Sequence, residues 1–364
     1  MATILDSAIA VLKETSYGVP PTAAPAVHSS AWRSIEGQAD TWKRSQEYLE
    51  SVGMRGAMQA TPTDRRKVIQ MGAEGSLEFD VGSRGLVRLM DGMLGNPATS
   101  SLYSSGGGVS GYKWTIQTAA SAQPTASYAI EVQRPDINGT MQYFRHLGSV
   151  ITEWSLKNDM GGLLNCSAKF DATEVTTSAS TSCSAINLSV PTPTGTGTSA
   201  ANDIYDWTQA VITWNGQPID TKSFAFDVKL SLKTDRRFLR NSFRKKAPLR
   251  NAVPEYTGTI EIDYDTSGGV GSSGVYADFA AGTPRTVTAT WYGSSGVSGG
   301  MGSTPASACR QLVLTLQNCQ LSGGDPEVSL SDTPKQSLPF KVLWDPAVAT
   351  SVVQLDYYTP DNAA

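Results

Sequence analysis

The side chains able to do covalent or acid–base chemistry are few and poorly spaced for it. Histidine occurs only as His28 and His146, which leaves little for a histidine metal cluster or a histidine general base. Both are assigned surface or packing roles. Gly296-Val-Ser298-Gly-Gly300 fits the G-x-S-x-G pattern, in which a strained strand-to-helix turn presents a serine hydroxyl. Here it sits in a Gly/Ser-rich loop with no helical pattern after it, and both histidines precede it, so the order serine, acid, histidine fails. Neither a phosphate-cradling G-x-x-x-x-G-K nor a dinucleotide fingerprint is present. No catalytic, cofactor-binding or metal-ligating residue is assigned, no cofactor is expected, and the chain is read as a non-enzyme.

Two carboxylate pairs remain. Glu78 with Asp80, and Glu261 with Asp263, are each two residues apart along an apparent strand, so each pair shares a face. Such pairs can serve acid–base catalysis, and a solvated strand face also explains them. A third reading is that a repeated acidic strand lines a channel for a polyanion, where like charge stops DNA from adhering. The strongly basic segment is Arg236, Arg237, Arg240, Arg244, Lys245, Lys246 and Arg250, interleaved with Phe238 and Phe243. It reads as a nucleic-acid patch, a solvated loop or a protein-binding arm. Its aromatics suit an arm docked on an acidic neighbour better than a loop left in water.

The elements that position these residues are mostly strands. In Gly75–Val81 the apolar Leu77, Phe79 and Val81 alternate with Ser76, Glu78 and Asp80, the pattern of a half-buried strand. Residues 83–94 then place Leu86, Val87, Leu89, Met90, Met93 and Leu94 at helical spacing, with Ser83 as the expected cap and Gly95 as the stop. About 180 residues further on the order returns. Gly258–Tyr264 alternates in the same way, and residues 273–281 form a weaker helix ended by Gly282. Trp114 and Trp291 then mark a strand in each half. Tyr128–Gln133 is matched with Leu312–Gln317, and the strand around Phe170 with the one around Phe340. Extended basic stretches, residues 43–67 and 233–250, precede each Gly-led strand.

A chance likeness of two β-rich segments is the plainer reading of this low-identity repeat, but the matching order of features favours duplication. Duplication predicts two tandem β modules, residues 1–172 and 203–364, each with a short flanking helix. The Ser/Thr/Pro-rich residues 173–202 read as the connector. A chain of 364 residues can bury two cores, and its 40% hydrophobic content is that of a globular protein. The net charge of −4 argues against a tight grip on nucleic acid. The four cysteines form no C-x-x-C pair. Cys309 and Cys319 flank one strand and, if it is straight, lie on the order of 33 Å apart, too far to bridge. No apolar run approaches a membrane span and the start lacks a signal-peptide pattern. A protein kept in a reducing cytoplasm is expected. Asn138-Gly139 reads as the turn of a hairpin.

The order of segments resembles the tail tube, or major tail, proteins of long, flexible-tailed bacteriophages of the siphovirus type. The resemblance rests on Glu14-Thr-Ser-Tyr-Gly-Val-Pro-Pro21, on the Gly75 strand leading into Gly85-Leu-Val-Arg-Leu-Met-Asp-Gly-Met-Leu-Gly95, and on Val132-Gln-Arg-Pro-Asp136. Ser231-Leu-Lys-Thr-Asp-Arg-Arg237, Glu255-Tyr-Thr-Gly-Thr259 and Leu338-Pro-Phe-Lys341 add to it. The Ser/Gly stretch 294–307 and the connector depart from the pattern.

The resemblance implies mainly β architecture, with tandem tail-tube-type sandwiches whose sheets join between subunits into a ring or barrel. It implies a virion tail subunit assembled in the host cytoplasm, which stacks as rings around a channel for DNA delivery. Expected partners are its own copies, as a trimer of pseudo-sixfold symmetry or as a hexamer, and the tape-measure, tail terminator and distal tail proteins. DNA passes transiently, and no membrane segment is expected. Arg55, Arg65, Arg66, Arg236, Arg237, Phe238, Arg240, Phe243, Arg244, Lys245 and Lys246 become expected contacts between rings or subunits, and Glu78, Asp80, Glu261 and Asp263 expected channel lining. The alternatives are a decoration, fibre or injection-tube protein, or a carbohydrate-binding sandwich stacking Trp32, Trp42, Trp207 and Trp214 on sugars. Core packing is the other use of those rings.

Overall fold

Alternation around Leu77 and Ile260 sends every second side chain into the core, and the computed structural model of the chain realises both stretches as strands. It describes residues 8–19, 33–51, 63–104, 110–118, 126–177, 203–239, 242–264, 272–293, 310–327, 334–345 and 351–359. The first half contains β1 (Ala8–Lys13), β2 (Arg33–Ile35), β3 (Gly37–Asp40), β4 (Lys43–Glu50), the long β5 (Arg66–Asp80) and helix α1 (Val87–Met93). A hairpin of β6 (Thr99–Ser104) and β7 (Ser110–Gln117) follows, then β8 (Tyr128–Pro135), β9 (Met141–Asp159), β10 (Asn165–Ala172) and β11 (Glu174–Thr177). The second half opens with β12 (Ala210–Trp214), β13 (Gln217–Ile219), β14 (Thr221–Lys229), β15 (Leu232–Lys233), β16 (Leu249–Arg250) and β17 (Glu255–Asp263). Helix α2 (Ser272–Ala281), β18 (Arg285–Tyr292), β19 (Gln311–Leu321), β20 (Pro326–Glu327), β21 (Lys335–Val342) and β22 (Val353–Thr359) complete it.

One antiparallel sheet runs through both halves. Its order is β3 and β4 end to end, then β5, β10, the outer end of β9, β14, β17, β21, and finally β20 with the end of β19. Its apolar face, including Leu77, Phe79, Leu156, Phe224, Phe226, Ile260 and Phe340, is buried. Behind it lie smaller sheets. In the first half β2, β1, β8, the start of β9 and β11 are neighbours. In the second half the order is β13, β12, β18, the start of β19, β22, β7 and β6. Within one chain these strands do not close into a barrel.

The same sequence of pairings occurs twice. β5 with β10, and β10 with β9, are matched by β17 with β21, and β21 with β19 and β20. β8 beside the start of β9 is matched by β18 beside the start of β19, and β1 beside β8 by β12 beside β18. β9 and β19 each pass from one layer to the other. At the bend of each stands a residue in the left-handed region, Gly148 (φ 62°) and Asn318 (φ 51°). Such a residue inserts a local kink that turns a strand between layers. A Cβ on Gly148 would lie 2.7 Å from Thr173 Cγ2, so the bend also needs the missing side chain.

Several sequence expectations change. The pairing matches β18 with β8 rather than with the Trp114 strand β7, because the β6–β7 hairpin is extra to the first half and pairs with β22 instead. Ser83 does not cap α1. Its hydroxyl accepts from Asp203 N–H (3.0 Å), and the helix starts after Leu86 with no side-chain cap. Gly95 (φ 74°) and Gly282 (φ 62°) follow the helices as expected. Residues 174–177, expected in the connector, form β11 and pair with β9. Asn138 and Gly139 do stand at the β8–β9 hairpin tip, where the Asp136 carboxylate accepts from Asn138 N and Thr140 N, both at 2.8 Å. Ser298, Cys309 and Trp32 lie outside the described residues.

Most buried apolar residues of both halves form one continuous core, and Leu12, Ala129 and Leu147 form a small separate cluster. Trp154 meets Phe226 edge-on with centroids 5.7 Å apart, and Phe224 meets Trp291 at 5.8 Å. Trp291 Nε1 donates to Asn158 Oδ1 at 2.9 Å, across the halves.

Candidate assembly surface

The continuous sheet turns its other face to solvent, and the four sequence-predicted carboxylates lie on it. Glu78 and Asp80 stand opposite Ser167 and Asn165, and Glu261 and Asp263 opposite Ser337 and Lys335. Asp80 accepts from Gln38 Nε2 (2.8 Å), and Asp263 pairs with Lys222 Nζ (2.5 Å). Lys169 bridges to Glu153 at 2.7 Å, Lys229 stands opposite both Glu153 and Glu255, and Lys157 is exposed on the same face. The surface is therefore hydrated and of mixed charge rather than uniformly acidic. That arrangement offers neither a cation-binding cluster nor a basic stripe. No group of metal-ligating side chains occurs among the described residues.

The basic segment docks within its own chain. Arg237 donates to Phe243 O (2.7 Å) and to Met71 O (2.9 Å), and Arg236 donates to Ala247 O (2.5 Å). Phe238 lies beneath Arg236 and Lys246. Lys245 Nζ pairs with Asp171 at 2.5 Å, its backbone N–H donates to Thr173 Oγ1 (3.1 Å), and Arg244 pairs with Glu174. The acidic neighbour is thus the corner between β10 and β11 of the first half. Burial raises the Asp171 carboxyl above its ordinary value, opposed by the ammonium of Lys245. Phe238, Leu239 and Phe243 remain exposed on the outer side of this loop. Arg65 closes a 3-10 turn at Thr63–Arg65, and Arg66 pairs with Glu50 (3.2 Å) over the Tyr48 ring. Arg55 and Arg240 lie outside the described residues.

Most of the other chemically suggestive residues described are buried. Trp42 and Trp214 are core side chains, which removes them as sugar platforms, and Trp207 is exposed. His146 packs on Trp42 with ring centroids 4.4 Å apart. Burial pushes the thiols of Cys166 and Cys319 up to about 12, so both stay protonated and inert.

A family model for the phage tail tube protein matches residues 5–342. The chain belongs to the phage tail tube family. No curated protein matches it. Membership makes it a structural component of a phage tail, with a non-enzymatic role and self-assembly as its activity. No helix among the described residues is long and apolar enough to cross a membrane.

The fold gives a role to a residue whose role the sequence left open, Glu14 in the opening motif. Its carboxylate accepts from Gly18 N (2.9 Å), Gly148 N (2.8 Å) and Ser127 Oγ (2.6 Å). It fixes the amino-terminal strand to the bend of β9. Burial raises its carboxyl above the ordinary value despite these three donors. An isolated glutamate before a Thr-Ser-Tyr-Gly run carries no periodic signal, so only the fold assigns it.

Proposed function

We propose that the chain is the repeating subunit of a siphovirus-type tail tube, polymerising as stacked rings around a channel for DNA. The observation that carries this reading is the pairing of β14 with β9, which joins the two halves edge to edge into one sheet. Each half acts as a tandem tail-tube module. Further edge joining, copy to copy, closes the sheet and removes the exposed edges that would otherwise aggregate. Three chains of about eight sheet strands each give a ring of pseudo-sixfold symmetry. Barrels of roughly 16–18 strands already enclose an aqueous channel, so this one is open. The mixed-charge face carrying Glu78, Asp80, Glu261 and Asp263 lines it and lets DNA slide without gripping. Phe238, Leu239 and Phe243, with the neighbouring basic residues, meet the next ring in a head-to-tail contact that does not close and so makes a filament. Tape-measure, terminator and distal tail proteins meet the ends, and assembly takes place in the host cytoplasm.

Electron microscopy of the purified protein, with the mass of a single ring, tests this. Hollow tubes built from three-copy rings are expected, with the polar sheet face inward. Six copies per ring would overturn the tandem-module reading, and a chain that forms no tube would overturn the function.

A further inference from the structure

We infer that the contact between copies repeats, in the same register, the seam that the chain already makes with itself. The inference rests on the ring assembly proposed above and adds which residues meet. Inside the chain, β14 lies between β17 and the outer end of β9, with Ala225 opposite Lys157 and Lys229 opposite Glu153. β3 and β4 hold beside β5 the position that β14 holds beside β17. Trp42 lies on Gly75 as Phe226 lies opposite Gly258, and Thr41 bonds to Ser76 (2.7 Å) where Ala225 stands opposite Thr259. The other edge of β3 and β4 pairs with no strand along residues 41–45 among the described residues, and there the Trp42 carbonyl accepts from the side chain of Arg134 (2.9 Å).

At the opposite end, β19 and β20 hold beside β21 the position that β9 holds beside β10. Glu327 stands opposite Lys335 as Lys157 stands opposite Asn165. Beyond Leu321 the outer edge carries no partner strand among the described residues, whereas β9 carries β14 there. Bringing the two open edges together in the internal register sets Thr41 of one copy opposite Glu327 of the next, and Ser45 opposite Gly323.

Two observations point to another copy of this chain as the occupant. The corner after β10 is covered in the chain by Arg244 and Lys245, but the matching corner after β21 leaves Trp344 61% exposed. The register carries the β4–β5 hairpin of the next copy, with its exposed Tyr48 and Leu49, towards that corner. The open edge is also irregular, with Gly323, Gly324 and Pro326, features that discourage pairing with arbitrary strands and leave room for a matched one.

Thr41 and Glu327 are both exposed in the single chain, so a Thr41→Cys/Glu327→Cys variant tests the register. Directly opposed Cβ atoms lie about 4.5–5.5 Å apart and diagonal ones about 7–8 Å, and a disulfide needs roughly 3.5–4.5 Å. Mild oxidation of assembled rings is expected to give a ladder of linked chains that ends at the ring's copy number. Thr41→Cys/Asp325→Cys is expected to link about tenfold more slowly. Intact rings that fail to link, or that link faster at the shifted pair, overturn the register and leave the ring reading standing. A chain that stays monomeric at high concentration removes both. The unsubstituted protein gives an independent measure: amide exchange at residues 41–45 and 323–327 slows on assembly, and unchanged exchange there in intact rings overturns the inference.

Discussion

Gly75 lies under Trp42 and opposite Phe170, and Gly258 lies under Phe340 and opposite Phe226. A Cβ at either glycine would stand 2.4 Å from an aromatic atom, so both halves use a missing side chain to seat rings in the core. Trp154 stands opposite Ala168 in the first half, while Gly324 packs against Leu338 and Phe279 in the second. The bulk has moved across the strand pair and the layer is still filled. The edges of the two halves have not been kept alike. The outer end of β9 carries β14, and the corner between β10 and β11 carries a clamp of Arg244 and Lys245, whereas among the described residues the counterparts around Gly323–Glu327 and Trp344 carry neither. Interior positions are constrained by close packing, and edges are constrained by what must dock on them.

The most disruptive way to probe that contrast is Trp291→Ala. It opens a large cavity beneath Phe224 and leaves Asn158 Oδ1 without its 2.9 Å donor. A loss of about 4 kcal/mol is expected in denaturant titrations. Because the core is continuous, probes in both halves should shift together in one transition. Two separate transitions would show halves that are equal inside but energetically independent.

Gly75→Ala and Gly258→Ala compare the two aromatic seats directly. At Gly75 the three atoms nearest the new methyl all belong to the Trp42 ring, whereas at Gly258 they include the Phe340 ring and the Ala225 carbonyl oxygen at 2.6 Å. Overpacking costs about 1–3 kcal/mol. The second variant should lie at or above the top of that range and the first near its middle, measured by the same titrations. Equal costs would mean that the backbone at Gly258 gives way as easily as a ring.

Lys245→Ala sharpens the comparison of filled and open edges with the smallest effect. It removes the partner of a partly buried Asp171, at about 1–2 kcal/mol near neutral pH. Burial already raises the folded-state carboxyl of Asp171 above its unfolded value, and loss of the ammonium raises it further. The folded state therefore binds the proton more tightly, so stability falls as pH rises through the folded value and is regained on acidification. The variant's deficit should shrink as pH drops towards the ordinary carboxylate range, as read from thermal unfolding at a series of pH values. A deficit independent of pH would assign the loop's hold to packing alone.

The sequence carried the interior well and the edges poorly. Strict alternation around Leu77 and Ile260, and the terminal glycines of both helices, report local geometry and were legible. The match of β18 to β8 was not, because Trp114 and Trp291 look equivalent until the β6–β7 hairpin is seen to join β22. The basic run around Arg237 and Lys245 announced a docking arm, but charge alone cannot say whether the acidic partner is another chain or Asp171 and Glu174 of the same one. Glu14, two of whose three donors come from distant segments, carried no sign of its role.

The tether between β9 and β14 has a kinetic meaning. Separate bodies that associate lose on the order of 4–15 kcal/mol of translational and rotational freedom per joint. Inside one polypeptide that loss is replaced by loop closure, which grows only with the logarithm of loop length. In a ring of such chains every second joint would be made during folding, before any collision. Polymerisation would then begin at a lower subunit concentration than it would for unlinked halves.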